Sequence, residues 1–233
     1  MQRMIQLADR TAFKERMKQC LTIDANKTVV MTVDMQRQYL DMDVGGQPVL
    51  PEEAQRVLKY SKELLDFARE QGIPVLHVYV CRRQREIETD LSGTSFYRAS
   101  RDLKLSQLPD TPEKPVPDRL EGSPQCQVPE ELVAESDLHV RSKKTMDSYL
   151  GTEIELLFQR VLKPETVVLM GINTDTCVYS TTFSTANRGY KTIVISDCTA
   201  SMRGKDSHEM ALELMSRSFS WVLTVAEFKE KVL

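Results

Sequence analysis

The sequence predicts an α/β fold of three layers: a central six-stranded, mostly parallel sheet of Rossmann type, with helices on both faces. Three observations point there. Short apolar runs rich in β-branched residues recur, as in Thr28–Asp34, Ile73–Val80 and Thr166–Met170, and such runs suit strands buried on both faces. Segments with apolar residues at helical spacing separate them, and strand, helix, strand in that order implies right-handed parallel crossovers. The first run ends in an acid, Asp34, at the strand end where open α/β sheets place their ligands.

The chain has 233 residues, 41% hydrophobic and 28% charged. That length suits a single domain over 1–233 with a core large enough to need no staples. A net charge of −3 suggests neither nucleic acid nor an anionic membrane as partner. The N-terminal stretch MQRMIQLADRTAFKERMKQC is charged throughout and lacks the apolar centre of a signal peptide. Five cysteines without paired spacing suit a reducing cytoplasm rather than a disulfide framework. His77, His139 and His208 are scattered and do not read as a metal-ligand cluster; no cofactor is expected.

Taken in order, residues 1–27 read as a polar lead-in, with a short surface helix over Thr11–Cys20. The first strand, TVVMTVD, follows over Thr28–Asp34, and Met35–Tyr39 read as a loop. Pro51 opens a helix to about Gln71, with Ala54, Val57, Leu58, Leu64, Leu65 and Ala68 on one face. Gly72 stands just past its end, and Ile73–Val80 is the second strand. Residues 81–137 form an irregular excursion, proline-rich over Pro109–Pro129, which must travel over the surface. Phe96, Tyr97 and Leu120 give it something to bury, so a lid or an interface is expected. Leu138–Ser142 is a third strand, ending at Lys143 and Lys144. Thr152–Val161 reads as a helix and Thr166–Met170 as the fourth strand. A helix then begins near Thr174 and is capped by Gly189. Lys191–Asp197 is the fifth strand. Lys205–Arg217 is a helix expected to turn Met210, Ala211, Leu214 and Met215 inward. Trp221–Val225 is a short sixth strand before a terminal helix.

Cys177 lies in the first turn of the helix that follows the fourth strand. Gly171 ends that strand and permits close backbone approach. Thr174, Asp175 and Thr176 are helix-start residues. The free N–H groups and the dipole at such a start favour thiolate over thiol. The plainer alternative is a buried cysteine that only packs. An acid, an amine and a thiol at three strand ends are the parts of covalent acyl transfer. Taken one by one, Asp34 also suits a turn, and Lys143 and Lys144 a solvated edge.

The sequence VDMQ, the Lys143–Lys144 pair followed by Tyr149-Leu150-Gly151-Thr152, and GINTDTCV together resemble the isochorismatase-like cysteine hydrolase superfamily over residues 28–225. That superfamily includes nicotinamidases, N-carbamoylsarcosine amidases, ureidoacrylate and biuret hydrolases, and isochorismatases proper. The resemblance implies a catalytic triad of Asp34, Lys143 and Cys177. Counting back from Gly151-Thr152 selects Lys143, with Lys144 as the alternative. It further implies a cis peptide at Ile172–Asn173, with the backbone N–H groups of Asn173 and Cys177 facing an oxyanion. Tyr39 and Tyr149 are the implied substrate contacts; for Tyr39, packing on a loop is the other reading. Nicotinamidase-like relatives hold a metal through a histidine cluster after the second strand. The corresponding segment here, VYVCRRQREIETD, has no histidine, so no metal is expected. Isochorismatases proper cleave a vinyl ether without a nucleophilic cysteine, so Cys177 favours an amidase-like reaction on a small linear amide or ureido C–N bond. The alternatives are an isochorismatase-type reaction on a non-amide bond and a non-catalytic binding member of the fold. The expected partner is a small-molecule substrate, and family habit suggests a homo-oligomer, dimer or tetramer.

Overall fold

A computed structural model describes residues 7–233; residues 1–6 of the polar lead-in lie outside them. Six strands form one sheet in the order β3-β2-β1-β4-β5-β6. They are β1 (Thr28–Val33), β2 (Val75–Val80), β3 (Leu138–Lys143), β4 (Thr166–Ile172), β5 (Lys191–Ala200) and β6 (Trp221–Leu223). All five neighbouring pairs are parallel. Every residue of β1, β2 and β4 is buried, as central parallel strands with both faces covered require.

The helices are α1 (Thr11–Gln19), α2 (Arg37–Leu40), α3 (Pro51–Glu70), α4 (Gln84–Glu88), α5 (Ser95–Asp102), α6 (Ile154–Leu157), α7 (Tyr179–Asn187), α8 (Lys205–Ser218) and α9 (Val225–Lys231). Side chains alternate across the sheet. Val30 joins Leu64, Leu65 and Phe228 in the core under α3 and α9. Val29, Met31 and Val33 join Ile154, Ala211 and Met215 in the core under α6 and α8. The α3 face runs as its periodicity predicts: Ala54, Val57, Leu64, Leu65 and Ala68 are buried, and Leu58 packs against them half-buried.

Four expectations change. The segment Met35–Tyr39 is a loop only to Gln36, because a single helical turn, α2, begins at Arg37. The excursion is less irregular than its prolines suggest, since it carries α4 and α5. Phe96 is 78% exposed and buries little; Tyr97 and Leu120 are half-buried. On α8 only Ala211 and Met215 of the four named residues turn inward, while Met210 and Leu214 are exposed. A helix of this length presents a stripe to the core, not all apolar positions.

The chain moves outward through β1, β2 and β3, then returns to β4 beside β1 and proceeds the other way. The topological switch point therefore lies between the ends of β1 and β4, where open α/β sheets form a crevice. The β4–β1 pairing runs through Val33 and Gly171. Gly171 has φ +138°, and a Cβ there would collide with the Val33 carbonyl. Only glycine lets the two strand ends meet this closely. No helix among the described residues is long and apolar enough to cross a membrane.

Candidate active site

Asp34 follows β1 directly and adopts φ +49°, a left-handed conformation that aspartate tolerates better than most residues. Its backbone N–H donates to Val78 O (2.9 Å). Its carboxylate is held at both oxygens. Val80 N–H donates to Oδ1 (3.1 Å), and Lys143 Nζ donates to Oδ2 (2.5 Å). Asp34 and Lys143 both have 0% exposure. A buried charge of either sign is stable only with such a partner.

Lys143 reaches this carboxylate from the far edge of the sheet. β3 is separated from β1 by β2, a span of about 9.6 Å at ordinary strand spacing, which demands a long side chain. A register shift helps: Ser142 and Lys143 both oppose Val80. Such a bulge re-aims a side chain, here turning Lys143 inward although His139 and Arg141, four and two residues earlier, are exposed. The carboxylate keeps Lys143 protonated by pulling its pKa upward against burial. Lys144 goes elsewhere. Its ammonium bonds the Cys81 carbonyl and Glu86 Oε2 (2.8 Å), fastening the start of the excursion to β3. Of the two candidate lysines, the structure brings Lys143 to Asp34.

The Ile172–Asn173 peptide is cis, at the position the resemblance implies. Asn173 Oδ1 accepts from Met202 N–H (2.9 Å). The chain then winds through a wide turn over Thr174–Val178 before α7 begins. Thr174 Oγ1 lies 2.8 Å from His208 Nδ1, and Ser201 Oγ donates to Asp175 Oδ1 (2.7 Å). These contacts tie both sides of the turn to the segment after β5. Cys177 is half-buried, a free thiol.

One expectation is corrected here. A helix start was expected to favour the thiolate, but burial dominates. It pushes the Cys177 thiol up to about 11, with Lys143 pulling it down and the Asp34 carboxylate pushing it up again. Burial thus favours the thiol as the resting form of Cys177.

Tyr39 is 4% exposed. Its hydroxyl accepts from Arg119 Nη1 (2.6 Å), and burial raises its pKa, with Asp34 and Cys177 adding to the rise. It therefore faces the same cluster. Tyr149 does not. Its hydroxyl lies 3.1 Å from Thr185 Oγ1, its ring meets Phe158 edge-on, and Arg188 stacks over it at 4.2 Å. It packs in the core, and its expected role as a substrate contact falls away.

Sequence reasoning missed Arg119 and Arg203. Arg119 sits in the proline-rich run with no periodicity to mark it. Arg203 Nη2 donates to Tyr97 OH (3.0 Å) and to Gln107 Oε1 (2.7 Å), while Nη1 reaches Asp175 Oδ2 (3.3 Å). It thus joins the excursion to the cysteine turn. Other arginines of the excursion serve the excursion itself: Arg82 pairs with Asp118, Arg83 with Glu86 and Arg98 with Asp90. Among the described residues no group of three or more His, Cys, Asp or Glu is placed to hold a metal. His77 instead bridges Thr32 and Asp137.

Comparison with known proteins points to one family and one fold. The family described as Isochorismatase domain matches residues 28–227. Ureidoacrylate amidohydrolase RutB of Methylobacterium radiotolerans is 28% identical over 219 residues, covering 90% of this chain and 81% of the relative. A cysteine hydrolase from Pseudomonas syringae pv. phaseolicola superposes with a TM-score of 0.72 at 20% identity, over 91% of this chain and 96% of its own. N-carbamoylsarcosine amidase from Thermoplasma acidophilum does so with a TM-score of 0.60 at 19% identity, over 85% and 96%. The two structures share the fold. With its six parallel strands, its switch-point crevice and a family match spanning most of its length, the chain belongs to the isochorismatase family.

Proposed function

We propose that this protein is a cysteine-dependent amidohydrolase that cleaves a small linear amide or ureido C–N bond through a thioester. The observation that carries the reading is the convergence of Asp34, Lys143 and Cys177 from three separate strand ends. The relatives named ureidoacrylate amidohydrolase and N-carbamoylsarcosine amidase support the choice of bond.

In this reading Asp34 takes the thiol proton as the sulfur attacks the carbonyl carbon. Lys143 holds the carboxylate in place and balances charge. The carbonyl oxygen becomes an oxyanion facing the backbone N–H groups of Asn173 and Cys177. Asp34 returns the proton to the leaving nitrogen as the C–N bond breaks, leaving a thioester on Cys177. Asp34 then takes a proton from water, whose oxygen attacks the thioester. The acid product leaves, and the thiol regains its proton.

A high resting thiol pKa fits this sequence. The proton moves only when the electrophile is present, and the thiolate so formed is a strong nucleophile. The test is ammonia release from a panel of ureido acids, biuret-like compounds and simple carboxamides, by wild type and by Cys177→Ala. Release by the wild type alone is expected. Equal release by Cys177→Ala would sink the proposal.

A further inference from the structure

The excursion returns to the sheet beside β2. Arg82 N–H donates to Arg119 O (2.9 Å), and Glu121 N–H donates to Arg82 O (2.8 Å), a parallel bridge that anchors Arg119 beyond the β2 end. Arg119 adopts φ +52° and is 9% exposed. Its guanidinium is engaged on two sides. Nη1 donates to the Tyr39 hydroxyl, while Nε and Nη2 both lie 2.7 Å from Asp118 Oδ1. Arg82 pairs with the other oxygen of Asp118.

Counting charge shows what this arrangement delivers. Arg82, Asp118 and Arg119 sum to one positive charge. Lys143 and Asp34 cancel. Arg203, which touches Tyr97 near the thiol, is paired with Asp175. Removing the Cys177 proton to bulk would place one net negative charge in the cluster, and the cation left to balance it is the excess on the excursion. Val80, two residues before Arg82, donates to the Asp34 carboxylate, so the bridge at Arg82 sets Arg119 by the end of β1. The titratable groups whose charge interacts with Cys177 are Asp34 after β1, Lys143 at the end of β3, Tyr39 on α2, Tyr97 on α5 and Arg119. The Arg119 charge acts on Asp34, Lys143 and Cys177 alike.

We propose that Arg119 is a positioning residue of this site: it fixes the Tyr39 hydroxyl and supplies the positive charge that balances a Cys177 thiolate beside Asp34. The proposal rests on Cys177 as the nucleophile. It gives the excursion a definite duty, because a segment far along the chain completes the electrostatics of a cluster built from strand ends. Arginine suits the task, since its fork can hold a carboxylate and a phenol at once without losing its charge.

The test is alkylation of Cys177 by iodoacetamide at pH 9, followed by peptide mass mapping. The probe is neutral, and the rate follows the thiolate fraction. Arg119→Met is expected to slow the reaction about tenfold, the effect of one unit charge at close range in a protein. Asp118→Asn leaves a second positive charge unbalanced and is expected to speed it by a similar factor, about tenfold. Opposite signs are the signature of charge, because loosening of structure would move both variants the same way. Arg119→Lys keeps the charge and is expected to stay within about threefold of wild type. The proposal is overturned if folded Arg119→Met alkylates at the wild-type rate, or if Asp118→Asn is unchanged or slower. Should Arg119→Met not fold, Asp118→Asn decides alone. Ammonia release by Cys177→Ala reports separately on the hydrolase reading.

Discussion

Lys143 and Asp34, 109 positions apart, meet at 2.5 Å with neither exposed to solvent. This pair crosses the width of β2 and links the sheet edge to its centre. Breaking a buried pair leaves an unpaired charge, at a cost of about 3–5 kcal/mol. Lys143→Met is therefore expected to lower the unfolding free energy by about that amount and to abolish ammonia release. Lys144 fastens Glu86 and the Cys81 carbonyl, so Lys144→Met is expected to retain hydrolysis. Urea titration with the ammonia assay separates the two lysines. A loss of activity in Lys144→Met alone would reverse the assignment.

Gly171 sits where β4 closes on β1. A methyl group there would strike the Val33 carbonyl, and the φ of +138° is one that side chains rarely adopt. Gly171→Ala is expected to cost at least ~3 kcal/mol, from backbone strain and a forced separation of the strands. Because Asp34 and the cysteine turn hang from these two strand ends, hydrolysis should fall as well. Unfolding midpoints in urea check the first expectation; full stability in the variant would show that the close approach can be relieved.

His208 holds Thr174 at the start of the cysteine turn. Burial lowers its pKa from 6.5 to about 4. The unfolded chain therefore binds a proton between those values that the folded chain refuses. Stability is complete above pH 6.5 and is lost as pH falls towards 4, on the order of 3 kcal/mol in all. His208→Gln removes this proton linkage. The stability difference between pH 7 and pH 4.5 is expected to be smaller in His208→Gln than in wild type. Identical pH profiles would show that His208 titrates normally.

Much of the fold is legible locally. The strands announce themselves because parallel strands covered on both faces are apolar along their whole length, and α3 because its apolar residues repeat at helical spacing. Asp34, Gly171 and Cys177 are legible for a related reason: each sits directly at a strand end or helix start, where position along the chain nearly determines position in space. The excursion is the opposite case. Nothing in PVPDRLEG marks Arg119 as buried, since its contacts with Tyr39 and Asp118 depend on where a long segment returns. Tyr149 misled because a tyrosine near a motif can face core or crevice, and its direction depends on Thr185 and Phe158 across the fold. The thiol's raised pKa is not legible locally, because helix-start electrostatics act over a few residues, whereas burial is the sum of everything packed around it.

The sequence by itself determined the α/β order of elements, the strand ends that carry the acid and the thiol, and the glycine between them, because hydrophobic period and backbone freedom act over a few residues. Only the tertiary structure decided which lysine turns inward and that Arg119 completes the cluster. Those choices depend on a one-residue bulge against Val80 and on the path of the excursion, and both are settled by contacts between segments far apart in the chain.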